Sequence, residues 1–223
     1  MISRPATPGL YYDASVRLHE PSARALLAAG CVGVFRYVPL PRNPIGQDIN
    51  APELAMLVGL GLEVGLVQHV RMPGWDPRQH SGYEDGQVAV EYAQQAEYPE
   101  GAHLWCDFEG PLVGVPSGPC IEYCTQWARG VVEAGYRAGL YCGYDDPMTP
   151  EELYLLPGIT SYWSDAGHRS VSVRGVAISQ GPEGFALRAP LDPDQVAPDL
   201  LGDLPFVAAA DAIAAAADAI AAA

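Results

Sequence analysis

Short apolar segments rich in β-branched and aromatic residues alternate along this chain with longer segments of helical periodicity. Such alternation predicts strands joined by helices, which is typical of a parallel βαβ architecture. We predict eight strands, at Gly9–Asp13, Val32–Val38, Glu63–Val70, His103–Glu109, Ala138–Gly143, Thr160–Ser164, Val176–Gln180 and Leu187–Leu191.

Helical patterns follow the first five strands and then stop. The predicted helices cover Pro21–Ala29, Ala51–Gly59, Tyr83–Ala96, Pro119–Ala134 and, more briefly, Thr149–Leu156. We therefore predict an α/β fold, a TIM-like (β/α) barrel with five β/α units followed by three strands lacking helices. An open doubly wound sheet is the alternative, but no glycine-rich phosphate loop supports it.

The composition changes abruptly near the end of the chain. From Ala208 onward the residues are almost all alanine, and Phe206, Ile213 and Ile220 are spaced by seven. This spacing predicts a helix with a narrow apolar seam, whose role would be self-association or attachment to a larger assembly. We thus expect a barrel domain over residues 1–205 and an Ala-rich helical tail or linker over residues 206–223. A flexible or capping tail is the alternative.

The charge balance narrows the classes of partner. The chain has 27 acidic residues against 12 basic ones, and its formal net charge is -15. Such a charge repels nucleic acid and anionic membranes, so we expect neither as a partner. The globular part contains no apolar stretch long enough for a membrane span, and the N-terminal residues lack a signal-peptide pattern.

The most informative segment is the fourth predicted strand, with the sequence HLWCDFE over residues 103–109. Side chains alternate along a strand, so Trp105, Asp107 and Glu109 share the barrel interior and the apolar residues between them face the helices. Barrel enzymes place their active sites at the C-terminal ends of the strands. Asp107 and Glu109 therefore predict an active site, while a solvated pair at a strand end is the alternative.

Two further acids lie near predicted strand ends. Asp13 ends the first strand, and Asp192 follows the last one in the segment LDPD, which also contains Asp194. These residues could close a ring of carboxylates around the barrel mouth. The alternatives are an N-cap for Asp13 and an ordinary Asp-Pro turn for Asp192.

Aromatic and polar residues could complete a saccharide site. Sugar rings stack on aromatic side chains, and candidates near strand ends are Tyr37, Trp105, Tyr141 and Trp163, each of which could instead belong to the core. Two polar residues interrupt apolar strands, and we expect Arg36 and Gln180 to point into the barrel as well. No His or Cys pair has metal-ligand spacing, so we predict neither a metal nor a cofactor.

Several segments together resemble a known family. They are GLYYDAS (residues 9–15), AAGCVGVFRYV (28–38), LWCDFE (104–109), GYRAGLYCG (135–143), Tyr162-Trp163, Ser179-Gln180 and LDPD (191–194). They are similar to the glycoside hydrolase-like domain of actinobacterial and phage proteins, which is related to the family 25 lysozymes. The resemblance covers roughly residues 8–200 in order.

The resemblance implies a role for each of four acids. Glu109 matches the general acid, and Asp107 matches the carboxylate that stabilises the positive intermediate or orients the acetamido group. Asp13 and Asp192 match the first-strand and last-strand aspartates. The implied activity is cleavage of a peptidoglycan-type or other cell-envelope polysaccharide, in a virion-associated or extracellular setting. A catalytically silent carbohydrate-binding module and a structural virion or cell-surface module remain the alternatives.

Overall fold

A barrel of eight strands organises the computed structural model, which describes residues 1–40, 46–165, 169–182, 185–186 and 189–211. Twelve strands are present in the described residues: β1 (Ile2–Pro5), β2 (Gly9–Ala14), β3 (Gly33–Val38), β4 (Glu63–Gln68), β5 (His103–Phe108), β6 (Arg137–Cys142), β7 (Ile159–Ser164), β8 (Ile178–Gln180), β9 (Phe185–Ala186), β10 (Ala189–Pro190), β11 (Asp192–Val196) and β12 (Phe206–Ala209). The helices are α1 (Glu20–Ala28), α2 (Ala51–Gly59), α3 (Gly82–Gln95), α4 (Ser117–Val132) and α5 (Pro150–Tyr154). A short 3-10 helix covers Pro77–Gln79.

The barrel closes in the strand order β4-β3-β2-β11-β8-β7-β6-β5, with β5 pairing back onto β4. Strands β2 to β8 run parallel to one another. Each of β2 to β6 is followed by a helix. The last three barrel strands, β7, β8 and β11, are joined without helices in the part of the chain that the structure describes. The predicted architecture of five β/α units and three further strands is therefore confirmed.

The eighth barrel strand differs from its prediction. The predicted range Leu187–Leu191 overlaps β10, which pairs with β9 in a separate two-stranded ribbon, while residues 187–188 lie outside the described residues. The barrel strand is β11, and it runs antiparallel to both β2 and β8. The start of β11 therefore lies at the rim where the parallel strands end. Asp192 begins this strand instead of following it, and the reversed direction places it at the rim.

The last described strand corrects the prediction for the start of the tail. Strand β12 pairs antiparallel with β1 and contacts β4 through Ala208 and Val64. Phe206 is therefore part of a sheet, and its predicted place in a helical seam is wrong, because backbone pairing with β1 fixes it in an extended conformation. Ile213 and Ile220 lie outside the described residues.

Aromatic side chains fill the barrel below its rim. Glycines on the inner face of neighbouring strands make room for these rings, because a Cβ at each glycine would clash with one. A Cβ at Gly33 would lie 2.3 Å from the Tyr11 ring, one at Gly65 would lie 2.4 Å from Phe35, and one at Gly139 would lie 2.5 Å from Trp105. The middle of the barrel is thus a packed core, and the rim at the C-terminal ends of the parallel strands borders a cavity.

Arg36 does not point into the barrel, contrary to the prediction. Its neighbours Phe35 and Tyr37 face the interior, so the strand alternation turns Arg36 toward the helices. There its fully buried guanidinium donates from Nε to Glu53 Oε1 on α2 at 2.8 Å and from Nη2 to the carbonyl of Gln47 at 2.6 Å. Arg36 joins β3 to α2 and has no access to the barrel mouth.

Local capping explains where three of the helices begin. The side chains of Asn50, Ser81 and Thr149 each accept a hydrogen bond from a backbone N–H in the first turn of α2, α3 and α5, respectively.

None of the helices in the described residues is both long and apolar enough to cross a membrane.

Candidate active site

A cavity of about 340 Å³ opens at the rim where the parallel strands end. Carboxylates and aromatic rings make up most of its wall. The described residues that line it are Tyr37, Val67, Asp107, Glu109, Tyr141, Tyr144, Trp163, Asp165, Gln180, Gly181 and Asp192. Three of the four predicted acids thus border one cavity, and Asp13 contacts its wall through Tyr37 and Gln180.

Asp13 is the centre of a hydrogen-bond network that joins four strands. Its Oδ1 accepts from the Tyr37 hydroxyl at 3.1 Å, and its Oδ2 accepts from Gln180 Nε2 at 2.9 Å. The Tyr141 hydroxyl in turn donates to Gln180 Oε1 at 2.9 Å. These contacts fix three of the predicted binding residues against a predicted catalytic one, and they hold the cavity wall in place.

Burial raises the pKa of Asp13 to about 7, although the hydrogen bond from Gln180 acts in the opposite direction. The negative charges of Asp192 and Glu109 contribute further to the increase. Asp13 therefore holds a proton for part of the time at neutral pH.

Asp107 and Glu109 lie on the inner face of β5 and just beyond its end, as the alternation predicts. The Oδ1 atom of Asp107 is shielded from solvent and makes no hydrogen bond to a described residue. Burial raises the Asp107 pKa well above its usual range, and the charges of Glu109 and Asp13 raise it further. The Glu109 pKa is also raised, by burial and then by the charge of Asp165.

Backbone contacts hold Glu109 in position. Its carbonyl accepts a hydrogen bond from the Trp75 indole Nε1 at 2.9 Å. On the other side, Gly143 leaves the space that the Glu109 side chain occupies, because a Cβ there would lie 2.3 Å from Glu109 Cβ. Any larger residue at position 143 would displace the carboxyl group.

Strand β11 contributes acids at two depths. Asp192 pairs with Asp13 across the sheet and lines the cavity, whereas Asp194 lies one step deeper and is fully buried. Burial and then the charge of Asp13 raise the Asp194 pKa well above its usual range. The Trp163 indole lies close enough to lower that pKa, yet neither Asp194 oxygen forms a hydrogen bond of regular geometry with a described residue. The neutral, protonated form of Asp194 is therefore favoured.

Trp105 does not reach the cavity, contrary to its predicted role as a binding residue. It is fully buried, stacks on His103 and contacts Trp163 edge to face at 5.8 Å. Trp105 lies two residues deeper in the strand than Asp107, where the barrel interior is already packed. Trp163 does line the cavity, although only 1% of its surface is exposed.

Sequence reasoning missed four residues of the cavity wall, Val67, Tyr144, Asp165 and Gly181, and two of them carry polar side chains that bear on the site. Tyr144 lies beyond the end of β6 with 46% of its surface exposed, and Asp165 directly follows β7. The position of Asp165 after a predicted parallel strand was a usable signal, since that is where the other rim acids lie. Tyr144 follows a strand by two residues, and no periodicity extends to it.

The described residues offer no ready set of the ligands that metal ions need. No group of three or more His, Cys, Asp or Glu residues there is arranged to hold a metal ion. The arrangement at the rim is instead suited to proton transfer, because it contains acids whose pKa values are raised and which lie beside a cavity.

Comparisons with known proteins identify the family and the fold. The family model described as Rv2525c-like, glycoside hydrolase-like domain matches residues 24–173. A search of curated proteins by sequence found no match.

Solved structures with the same fold include the Tat-secreted protein Rv2525c of Mycobacterium tuberculosis. It shares 16% identity over 85% of this chain and 95% of its own, with a TM-score of 0.63. The catalytic domain of endolysin ply40 from bacteriophage P40 of Listeria monocytogenes shares 14% identity over 86% and 94%, with a TM-score of 0.56. The autolysin LytC of Streptococcus pneumoniae, in complex with a synthetic peptidoglycan ligand, shares 12% over 83% and 46%, with a TM-score of 0.60.

Proposed function

Because the chain belongs to the Rv2525c-like glycoside hydrolase-like domain family, we propose that its acidic rim hydrolyses a β-linked polysaccharide of the bacterial cell envelope. The observation that carries the proposal is the pair Asp107 and Glu109, both with raised pKa values, at the wall of an open cavity. A pair of carboxyl groups is the usual machinery for cleaving a glycosidic bond.

In this mechanism Glu109 is the general acid. Its raised pKa keeps the carboxyl protonated nearer to neutral pH, so that it can donate that proton to the leaving glycosidic oxygen as the bond breaks. The contacts from Trp75 and Gly143 keep the carboxyl group directed into the cavity. Water then completes the hydrolysis by adding to the sugar carbon that lost its bond, and the proton that the water releases returns to the Glu109 carboxylate.

Asp107 stabilises the positive charge that develops on the sugar. In the empty cavity burial favours its protonated form, but a positive centre beside it lowers its pKa and favours the carboxylate. The stabilisation is therefore greatest in the transition state, which is what catalysis requires.

The other rim residues hold the sugar. Asp13, fixed by Tyr37 and Gln180, and Asp192 on the adjacent strand offer carboxyl oxygens to sugar hydroxyls. Tyr144 presents the most exposed ring of the wall, on which a sugar face can stack, while Tyr141 and Trp163 form a second side.

The structural neighbours support a cell-wall glycan as substrate. LytC was solved with a synthetic peptidoglycan ligand, and the Cpl-1 endolysin with a peptidoglycan analogue. Rv2525c is described as Tat-secreted, which supports an extracellular location for this protein as well.

The test is the release of reducing ends from purified bacterial cell walls. Glu109→Gln keeps the shape of the side chain but removes the transferable proton, so turnover should fall by about a hundredfold or more. Glu91→Gln is the matched control, since it removes one acid on the exposed face of α3 and should leave turnover unchanged.

Sedimentation with the same walls separates hydrolysis from binding. The proposal expects Glu109→Gln to bind walls as the wild type does while it fails to cleave them. If wild type and Glu109→Gln release the same background yet bind equally, hydrolysis is excluded and the domain is a carbohydrate-binding module.

A further inference from the structure

Among the described residues, the buried acids that form no ion pair lie next to the cavity. Among the described residues, six buried acids form ion pairs with arginine or histidine. These pairs are Asp48 with His69, Glu53 with Arg36, Glu63 with Arg4, Asp85 with Arg71, Asp146 with Arg169, and Asp199 with Arg174. The two remaining buried acids, Asp13 and Asp194, form no ion pair with a described base, and both lie next to the cavity.

At the cavity, burial and the mutual repulsion of carboxylates therefore favour the protonated form of several acids. Asp107 has a buried oxygen with no hydrogen bond to a described residue, and its pKa is raised by Glu109 and Asp13 as well as by burial. No lysine, arginine or histidine is among the described residues that line the cavity. A cation that entered would relieve this repulsion and satisfy the exposed carboxyl oxygens.

The geometry points to a saccharide that carries a free amine, and we propose that the cavity selects an unacetylated amino sugar over its N-acetylated counterpart. This inference rests on the proposed function and specifies its substrate. A protonated amine on the sugar ring supplies a positive charge and three donors, whereas an acetamido group supplies one donor and no charge. The ring itself can stack on Tyr144, so charge and shape are recognised by different residues.

The same wall disfavours one class of ligand. Sugars that carry carboxylate, phosphate or sulfate groups near the cleaved bond would meet no described base in the wall, and repulsion between their charge and the wall carboxyl groups would oppose ionisation of Asp107, Glu109 and Asp13. In a protein of net charge -15, that repulsion acts both during approach and in the bound state.

Calorimetric binding of two soluble probes tests the preference. The probes are the β-1,4-linked hexamer of glucosamine and the hexamer of N-acetylglucosamine, each titrated into the full chain at low and high salt. We expect the glucosamine hexamer to bind at least about tenfold more tightly at low salt, because the charges attract across a shielded cavity. Added salt should reduce that preference, since it screens the interaction.

Two variants separate charge from shape. Asp165→Asn removes one carboxylate of the cavity wall and should reduce the preference for the amine several-fold. Tyr144→Ala should weaken both hexamers to a similar extent, because stacking does not depend on the amine. Glu91→Gln removes a distant acid and should leave the preference as it is in the wild type.

Each outcome bears on one of the two claims. Equal or tighter binding of the N-acetylated hexamer overturns the inference, and hydrolysis of that hexamer would then leave the proposed function intact. Preferential binding of the glucosamine hexamer without cleavage supports the inference and counts against hydrolysis. If neither hexamer binds, the inference is wrong.

Discussion

At the N-terminal end of the barrel, the carboxylate of Glu63 accepts four hydrogen bonds. Toward the opposite end, Asp107 Oδ1 and both oxygens of Asp194 accept no hydrogen bond of regular geometry from described residues. The donors to Glu63 are Arg4, Thr7 and the Tyr11 hydroxyl. All three acids lie on the inner face of the same barrel. The three acids therefore differ in the number of hydrogen-bond donors that surround them.

The difference indicates which end of the barrel stabilises the fold and which end is suited to the proposed chemistry. A full set of donors offsets the desolvation of a buried carboxyl group, which then contributes to a rigid structure. A buried carboxyl group without donors costs stability and holds its proton, which is useful only where a proton or a positive charge is handled. Barrel folds commonly divide these duties between their two ends.

The largest effect on stability should come from the satisfied end. Glu63→Ala removes the acceptor shared by Arg4, Thr7 and Tyr11, of which Tyr11 is buried, and should lower the free energy of unfolding by about 2 kcal/mol. Urea unfolding at neutral pH measures this loss. Turnover per folded molecule should be unchanged, and a loss of turnover in folded protein would show that the two ends are not separate.

At the rim, removal of a charge should stabilise the protein. The folded-state pKa of Asp13 is raised from 3.8 to about 7, so its contribution to stability is fully present below pH 3.8 and is lost as the pH rises toward 7. Asp13→Asn, which cannot ionise, should raise the free energy of unfolding at pH 7 by on the order of 1 kcal/mol. Urea unfolding at several pH values should also give a flatter profile for the variant. A steeper profile would mean that Asp13 is ionised and satisfied in the folded state.

His103 should give a dependence of the opposite sign. Burial lowers its pKa from 6.5 to about 3, and its neutral ring accepts the Phe206 backbone N–H at Nδ1 over 2.8 Å. Its contribution to stability is therefore present above pH 6.5 and is lost as the pH falls toward 3. His103→Gln cannot titrate, so its unfolding free energy should decrease less on acidification, by roughly 1 kcal/mol between neutral pH and about pH 4. If the unfolding free energy of His103→Gln falls on acidification as steeply as that of the wild type, His103 is not the cause of that fall.

The smallest effect is expected on the exposed surface. Arg24 and Glu20 form an ion pair on α1, with more than half of each side chain exposed. Water and salt screen such pairs, so Glu20→Gln should change the free energy of unfolding by less than about 0.5 kcal/mol. A larger change would imply a role for Glu20 beyond this pair, such as its favourable position at the helix start.

The sequence predicted most of the fold because its strands obey a period of two. In HLWCDFE this period alone places Asp107 and Glu109 on the inner face, and the structure agrees. It failed for β11, whose inward positions are Asp192 and Asp194, because polar inward residues do not look like a strand. Only pairing with Asp13 and Gln180, distant in sequence, identifies β11 as part of the barrel.

Depth along the barrel was the second limit of sequence reasoning. Alternation assigns a face to each residue but does not say whether that residue reaches the rim, so Trp105 was predicted as a binding residue and is core. Arg36 was predicted inward, although its own neighbour Tyr37 faces the interior, because a buried polar residue suggested the site. Its partner, Glu53, lies on a helix 17 residues later, and only the fold reveals it.

The most direct test measures turnover and stability together for one substitution, Asp107→Asn, at neutral pH. A neutral amide cannot stabilise a positive charge, so release of reducing ends from cell walls should fall by about a hundredfold or more. The same change removes an acid whose pKa burial has raised, so the free energy of unfolding should increase. Activity and stability should therefore change in opposite directions in this variant. An Asp107→Asn protein that keeps its turnover, or that is less stable than the wild type, would contradict the role of Asp107 proposed above.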